Sequence, residues 1–207
     1  MYMKQCILFI GLGLWLVGLL PAQTFKATVF SGFNMSQIEG DKLAGYRKFG
    51  FNGGAQISAD LSERWSLSTE FTFSQQGARR GLTDFASSFD RIHYNFVEVP
   101  VLAHYRDWKI KIGAGFSYSR LISSEVISVT GADVSDLYPW RENQWSIVFD
   151  GLYQFTKRWS FNLRWSRQLS SLLPAEDQTN PGPVDPNAPP AISFHSFMVA
   201  TRVGYTF

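Results

Sequence analysis

From Ser196 to Phe207 the chain alternates without a break. Read back from the end in steps of two, Phe207, Tyr205, Val203, Thr201, Val199 and Phe197 fall on one side. Thr206, Gly204, Arg202, Ala200, Met198 and Ser196 fall on the other. Successive side chains of a strand point to opposite faces, so this segment is a strand with one greasy face and one small or polar face. A soluble protein could place such a strand at the edge of a sandwich. Here the pattern recurs along nearly the whole chain, and that recurrence limits the fold.

Upstream, the alternation predicts strands over 25–35, 49–61, 65–74, 91–105, 108–118, 144–155 and 159–166. In the first, Phe25, Ala27, Val29, Phe33 and Met35 oppose Lys26, Thr28, Phe30, Gly32 and Asn34. In the third, Trp65, Leu67, Thr69, Phe71 and Phe73 oppose Ser66, Ser68, Glu70, Thr72 and Ser74. The fourth strand breaks phase. Ile92, Tyr94 and Phe96 keep one phase, whereas Val97, Val99, Val101, Ala103 and Tyr105 keep the other. If the apolar side always faces one way, a bulge near Phe96-Val97 has to shift the register. Pro100 has no N–H to give a ladder, and the same irregularity would accommodate it.

The connections alternate in length. Ser62-Glu63-Arg64, Arg106-Asp107 and Thr156-Lys157-Arg158 are short, and the stretches 37–46, 77–90, 123–143 and 171–192 are long. Eight strands, three short turns and four long loops describe an eight-stranded antiparallel up-and-down transmembrane β-barrel with both ends in the periplasm. Each short turn runs into a tryptophan: Trp65, Trp108 or Trp159. With Phe207 these are expected to form an aromatic girdle at the inner membrane interface. Mean hydropathy is −0.09, too polar for a bundle of membrane helices, but alternating faces cancel in a barrel. The expected location is the outer membrane, in contact with its lipid and lipopolysaccharide. The C-terminal strand is the expected handle for the barrel-assembly machinery.

Residues 1–22 carry Lys4, an apolar run from Ile7 to Leu20 and then Pro21-Ala22, which predicts a signal peptide cut before Gln23. The barrel domain would then be 23–207. Cys6, the single cysteine, lies in that leader, so the mature chain is expected to hold neither a disulfide nor a thiol nucleophile. A net charge of +2 implies no nucleic-acid field.

The inward-facing set includes Lys26, Lys48, Asp60, Glu70, Glu98, Lys109, Lys111, Asp150, Arg164 and Arg202. Eight strands enclose a bore that side chains can fill. Unpaired charges there would cost several kcal/mol, which predicts ion pairs rather than an open channel. Glu70, Glu98, Asp150, Lys111, Arg164 and Arg202 are the expected interior charge network. No metal-ligand spacing and no phosphate loop appear, so no cofactor, metal or catalytic set is assigned. Ser193 and His195 share a face near the outer rim, as in barrels that deacylate lipid A, but no carboxylate orienter is evident on strands seven or one. Arg167 is a candidate for a lipopolysaccharide phosphate. Apolar residues of the long loops, among them Phe85, Phe89, Val126, Leu137, Tyr138 and Trp140, must pack on the barrel mouth or meet a partner.

Gly32-Phe33-Asn34-Met35-Ser36, Gly50-Phe51-Asn52-Gly53-Gly54, Glu70-Phe71-Thr72-Phe73-Ser74-Gln75-Gln76-Gly77 and Val97-Glu98-Val99-Pro100-Val101-Leu102 with Tyr105 make the chain resemble the PorT-like outer-membrane β-barrel proteins of Bacteroidota. The resemblance covers most of the mature chain. It implies a barrel of the cell envelope, and its namesake is associated with type IX protein secretion. One function is expected, with two alternatives ranked behind it. The first is a non-enzymatic structural or accessory component with an envelope-protein partner. The second is a small porin-like channel, and the third is a lipid A-modifying enzyme.

Overall fold

The computed structural model of the protein describes residues 25–39, 43, 45–81, 89–137, 140–173 and 194–207. The expected signal peptide, 1–22, lies outside them. Eight strands follow one another: β1 (Phe25–Glu39), β2 (Lys48–Asp60), β3 (Trp65–Arg79), β4 (Phe89–Asp107), β5 (Ile110–Ser128), β6 (Asn143–Gln154), β7 (Trp159–Gln168) and β8 (His195–Thr206). Each pairs antiparallel with the next, and β8 returns to β1 to close a barrel. The closing ladder runs from Thr28 opposite Thr206 to Glu39 opposite His195. Even-numbered residues of β1 to β4 point inward and odd-numbered ones outward, Phe89 before its register shift excepted, and in the first half of β5 the phase is reversed. Phe33, Phe49, Phe71, Ile112 and Phe116 are thereby exposed on the outer wall. In water such a wall would be a liability; in lipid it is the apolar band that a membrane barrel needs.

The band has readable limits. On β3 it runs from Trp65, opposite Tyr105, to Phe73, opposite Val97. The next outward row is polar. Gln75 Nε2 donates to Asn95 Oδ1 (3.2 Å), and Asn95 Nδ2 donates to Ser123 Oγ (2.8 Å). Trp65 to Phe73 is the length of a tilted strand crossing hydrocarbon, about 9–11 residues. β4 and β5 have 19 residues each, roughly twice that requirement. The surplus carries β3, β4 and β5 beyond the membrane as an outer extension.

The expected bulge in β4 does not occur. Ile92, Tyr94, Phe96, Glu98, Pro100, Leu102 and His104 are all buried, in one unbroken inward phase. The register shift lies instead on the partner strand. Asn95 faces Ser123 and Phe96 faces Leu121, so Ile122 is the extra residue; a second shift falls between Phe89 and Arg91. Ile92, Tyr94 and Phe96 turn inward because the interior of the outer half is apolar. They pack with Ile38, Phe89, Val126, Leu172 and Phe194, and Trp140 lies over them with its ring centre 5.1 Å from that of Tyr94. Pro100 also points inward. It faces Ser117 on β5, while on its other side the β3 ladder joins Thr69 to Val101 and Thr72 to Glu98 and leaves the stretch between unjoined. A residue without an N–H sits there at little cost.

The turns differ slightly from expectation. β4 continues through Asp107, and the second turn is Trp108-Lys109. Trp108 is therefore a turn residue at φ 54°, an uncommon conformation for a side chain of that bulk. Lys109, expected inward, is exposed in the same turn, with its ammonium 5.2 Å from the Trp108 ring centre. After β5 the chain folds back. Val126 N donates to Ser135 Oγ and Val134 N to Val126 O, which sets a 3-10 turn at Ser135–Leu137 against the strand.

Candidate functional site

The centre of the bore is a single polar cluster, and every strand shapes it. Glu70 on β3 and Arg164 on β7 meet in a two-pronged pair: Nη1 donates to Oε2 and Nη2 to Oε1, both at 2.8 Å. Arg164 Nη2 also reaches Asp150 Oδ2 on β6 at 2.9 Å. Arg202 on β8 donates to Glu70 Oε2 (3.0 Å) and through Nε and Nη2 to Asn162 Oδ1 (2.9 and 2.7 Å). Its guanidinium lies 4.3 Å from the ring centre of Phe30 on β1, a stacking that suits a flat cation. Gln56 on β2 donates to Glu70 Oε1 (2.9 Å), and His104 Nε2 on β4 lies 3.0 Å from Asp150 Oδ1. β5 contributes empty space. A Cβ on Gly113 would stand 2.4 Å from both Asp150 Oδ1 and His104 Cδ2.

These groups are dry. Arg164 is 1 % exposed, and Glu70, Asp150 and Arg202 are similarly buried. Planar guanidinium against carboxylate is the geometry that best offsets the loss of water. Glu98 sits one step further out and accepts from Gln76 Nε2 at 2.6 Å, without a guanidinium in direct contact among the described residues. Lys111, expected in the cluster, lies below it toward the periplasm and makes no close ion pair among the described residues. Gln56, His104 and Asn162 were not foreseen as members. Their inward phase was the available signal.

Below the cluster the bore widens into a vestibule of about 250 Å³, lined by Lys26, Thr28, Gln56, Ser58, Arg106, Lys111, Gln154, Lys157 and Ser160 among others. Lys26 Nζ is 2.6 Å from Asp60 Oδ2. Lys48, near the outer end of β2, instead meets His93 Nδ1 at 2.8 Å.

Two of the periplasmic turns are built alike. Ser62 Oγ accepts the N–H of Trp65 (3.0 Å), and Thr156 Oγ1 accepts that of Trp159 (2.9 Å). Arg64 Nη1 donates to Tyr105 Oη (3.0 Å), and Arg158 Nη1 donates to Tyr205 Oη (2.8 Å). Each tryptophan meets that tyrosine edge-on, at 5.3 Å for Trp65 with Tyr105 and 5.1 Å for Trp159 with Tyr205. The recurring unit is thus Ser/Thr-x-Arg-Trp with a tyrosine on the adjacent strand. Phe207 extends one of them, 5.3 Å from the Tyr205 ring.

At the outer rim Ser193 lies outside the described residues. His195 does face a carboxylate: Glu39 is its direct partner on β1. Beyond Met35 the outward face of β1 is polar, so the apolar alternation does not reach Glu39. Glu39 is also 3.7 Å from Arg167, whose guanidinium stacks over Phe197. Of the loop residues, Phe89, Val126 and Trp140 pack on the barrel mouth, whereas Leu137 is 72 % exposed. Among the described residues no group of three His, Cys, Asp or Glu is placed to hold a metal.

The sequence of residues 21–173 matches the family described as outer membrane protein beta-barrel domain. The chain belongs to that family. Its place is the outer membrane, crossed by the eight strands described above. Among solved structures, Ail, the attachment invasion locus protein of Yersinia pestis, is similar at 11% identity and TM-score 0.51, with 88% of this chain and 98% of that chain covered. Neisserial surface protein A is similar at 10% identity and TM-score 0.49, covering 90% and 100%. OprG from Pseudomonas aeruginosa is similar at 12% and 0.45, covering 89% and 97%. At 11% identity the likeness to Ail speaks for the fold alone. No curated protein matches the sequence.

Proposed function

We propose that this family member is a closed, non-enzymatic accessory component of the outer membrane that works by holding another envelope protein at its outer extension. The observation that carries the reading is the double filling of the bore. The Arg164–Glu70–Asp150–Arg202 cluster occupies the middle, and Ile92, Tyr94, Phe96 and Trp140 occupy the outer half. A solute would have to displace both, so surface work is favoured over conduction. The exposed Leu137, on a loop tied to β5, is the natural anchor for a partner. The resemblance to PorT-like barrels of Bacteroidota supports secretion machinery as that partner's class. The alternating β8 is read as the strand that the barrel-assembly machinery handles, and Arg167 as a contact for lipopolysaccharide phosphate.

The test has two halves. Tagged protein is drawn from native outer membranes in mild detergent, beside an unrelated barrel and the Leu137→Asp variant. A stoichiometric envelope protein, lost in the variant, is expected. Purified protein in planar bilayers is expected to give no steady conductance. Recovery of the barrel alone, together with discrete channels, would overturn the reading in favour of a small porin. Unaltered lipid A in a Ser193→Ala strain is expected as well.

A further inference from the structure

The vestibule at the periplasmic end is blind and unevenly charged. Its ceiling is the central cluster. Between the two lies only a gap of about 10 Å³ bounded by Gln56, Ser66, Ser68, His104 and Lys111, and above that His104 and Arg164 are both tied to Asp150. Its walls carry Lys26, Arg106, Lys111 and Lys157. Among the described residues Asp60 is the side-chain carboxylate at the wall, and Lys26 already engages it at 2.6 Å. Lys111 lines the same space as Lys26 and Arg106 and makes no ion pair within 4 Å among the described residues. Four side-chain cations thus stand against this one described carboxylate. Arg106 is fixed by donating to the Glu63 carbonyl at 2.7 Å, so the wall cannot simply relax outward.

Like charges gathered in a narrow, half-dry space cost free energy unless an anion joins them. Lysine ammoniums and a guanidinium around one concavity are a common means of holding phosphate or carboxylate oxygens. The volume is below the ~300–1,000 Å³ of pockets for drug-sized ligands, so a single small group fits better than an extended molecule. We propose that this vestibule is a binding site for one oxyanion, phosphate or carboxylate, presented from the periplasm, with Lys111 at its inner end and Arg106 and Lys157 at its walls. The site is independent of the outer extension and of any partner there.

The test uses the full-length protein in detergent micelles, with amide NMR shifts read at constant ionic strength against chloride. Inorganic phosphate and a hexaglutamate peptide are titrated separately. Saturable shifts are expected at Ser58, Arg106, Lys111 and Gln154, with the outer strand ends unmoved. Lys111→Met is expected to weaken the apparent affinity at least tenfold, and Lys111→Arg to keep it. Saturation by phosphate supports the site with a free ion as sufficient ligand. Saturation by the peptide alone supports it with the group carried on a polypeptide. If neither saturates, or if Lys111→Met binds as the parent does, the proposal is wrong. Should Lys111→Met fail the heat-modifiable migration of a folded barrel, Lys157→Met, at the mouth, takes its place with the same expected loss.

Discussion

Replacing Arg164 by methionine should unfasten the middle of the barrel. Three hydrogen bonds go at once: two to Glu70 at 2.8 Å and one to Asp150 at 2.9 Å. Two carboxylates stay behind, each almost without solvent. Breaking a buried pair on one side costs about 3–5 kcal/mol, because the remaining charge has neither partner nor water. Arg202 tempers the loss, since it is already 3.0 Å from Glu70 and 3.9 Å from Asp150. We therefore expect the lower end, about 3 kcal/mol, or roughly a hundredfold in the folding equilibrium. The assay is urea unfolding from lipid vesicles, followed by heat-modifiable migration. Two controls fix the cause. Arg120→Met removes a pair that is 67% and 64% exposed, and should cost no more than about 1 kcal/mol. Asp150→Asn added to Arg164→Met should recover most of the loss, because the remaining Glu70 carboxylate still has Arg202 at 3.0 Å and no buried charge is then left alone. An Arg164→Met protein within about 1 kcal/mol of the parent would refute the reasoning, since the pair would then be doing no more than a surface one.

Gly113→Ala should cost about 1–3 kcal/mol in the same assay, because the added methyl meets Asp150 and His104 at 2.4 Å. Thr156→Ala should cost about 0.5–1.5 kcal/mol, since the N–H of Trp159 loses its acceptor; Ser62→Ala should do the same at the other turn. In the outer loop the hydroxyl and N–H of Ser135 hold the Asp133 carboxyl below the usual carboxylate range. The stabilisation is present above that range and is lost as pH falls through the lowered folded value. A carbon-detected titration should place Asp133 below the usual carboxylate range, and Ser135→Ala should raise it toward that range.

Much of the fold could be read from the alternation alone. Strand existence, order and the lumen phase of Glu70, Asp150, Arg164 and Arg202 follow from period two and from the spacing of the turns. What misled was the assumption that inward means polar. Ile92, Tyr94 and Phe96 are greasy, which points them to the lipid side and asks for a bulge to join them to Val97. The outer half of this barrel is packed like a soluble core, so greasy residues face in. The real irregularity, at Ile122, disturbs no hydrophobic period and left no mark. Strand ends were short for a related reason. Glu39, Gln75 and Glu125 are polar on an outward face, which reads as loop until the strand is known to leave the membrane. Gln56, His104 and Asn162 sat in the right phase, but a neutral side chain does not announce a charged neighbour.

The three turn tryptophans divide the lower rim. They sit at the β2–β3, β4–β5 and β6–β7 corners, a quarter of the circumference apart, and Phe207 stands beside the fourth quarter where β8 meets β1. Aromatic rings seek the interfacial layer. Three such floats on a circle define a plane, so draught and both angles of list are set from the periplasmic side. The outer side is then relieved of that duty. β4 and β5 could lengthen to 19 residues without drawing the hull up or down, and the height of the surface structure becomes a quantity that selection can vary on its own.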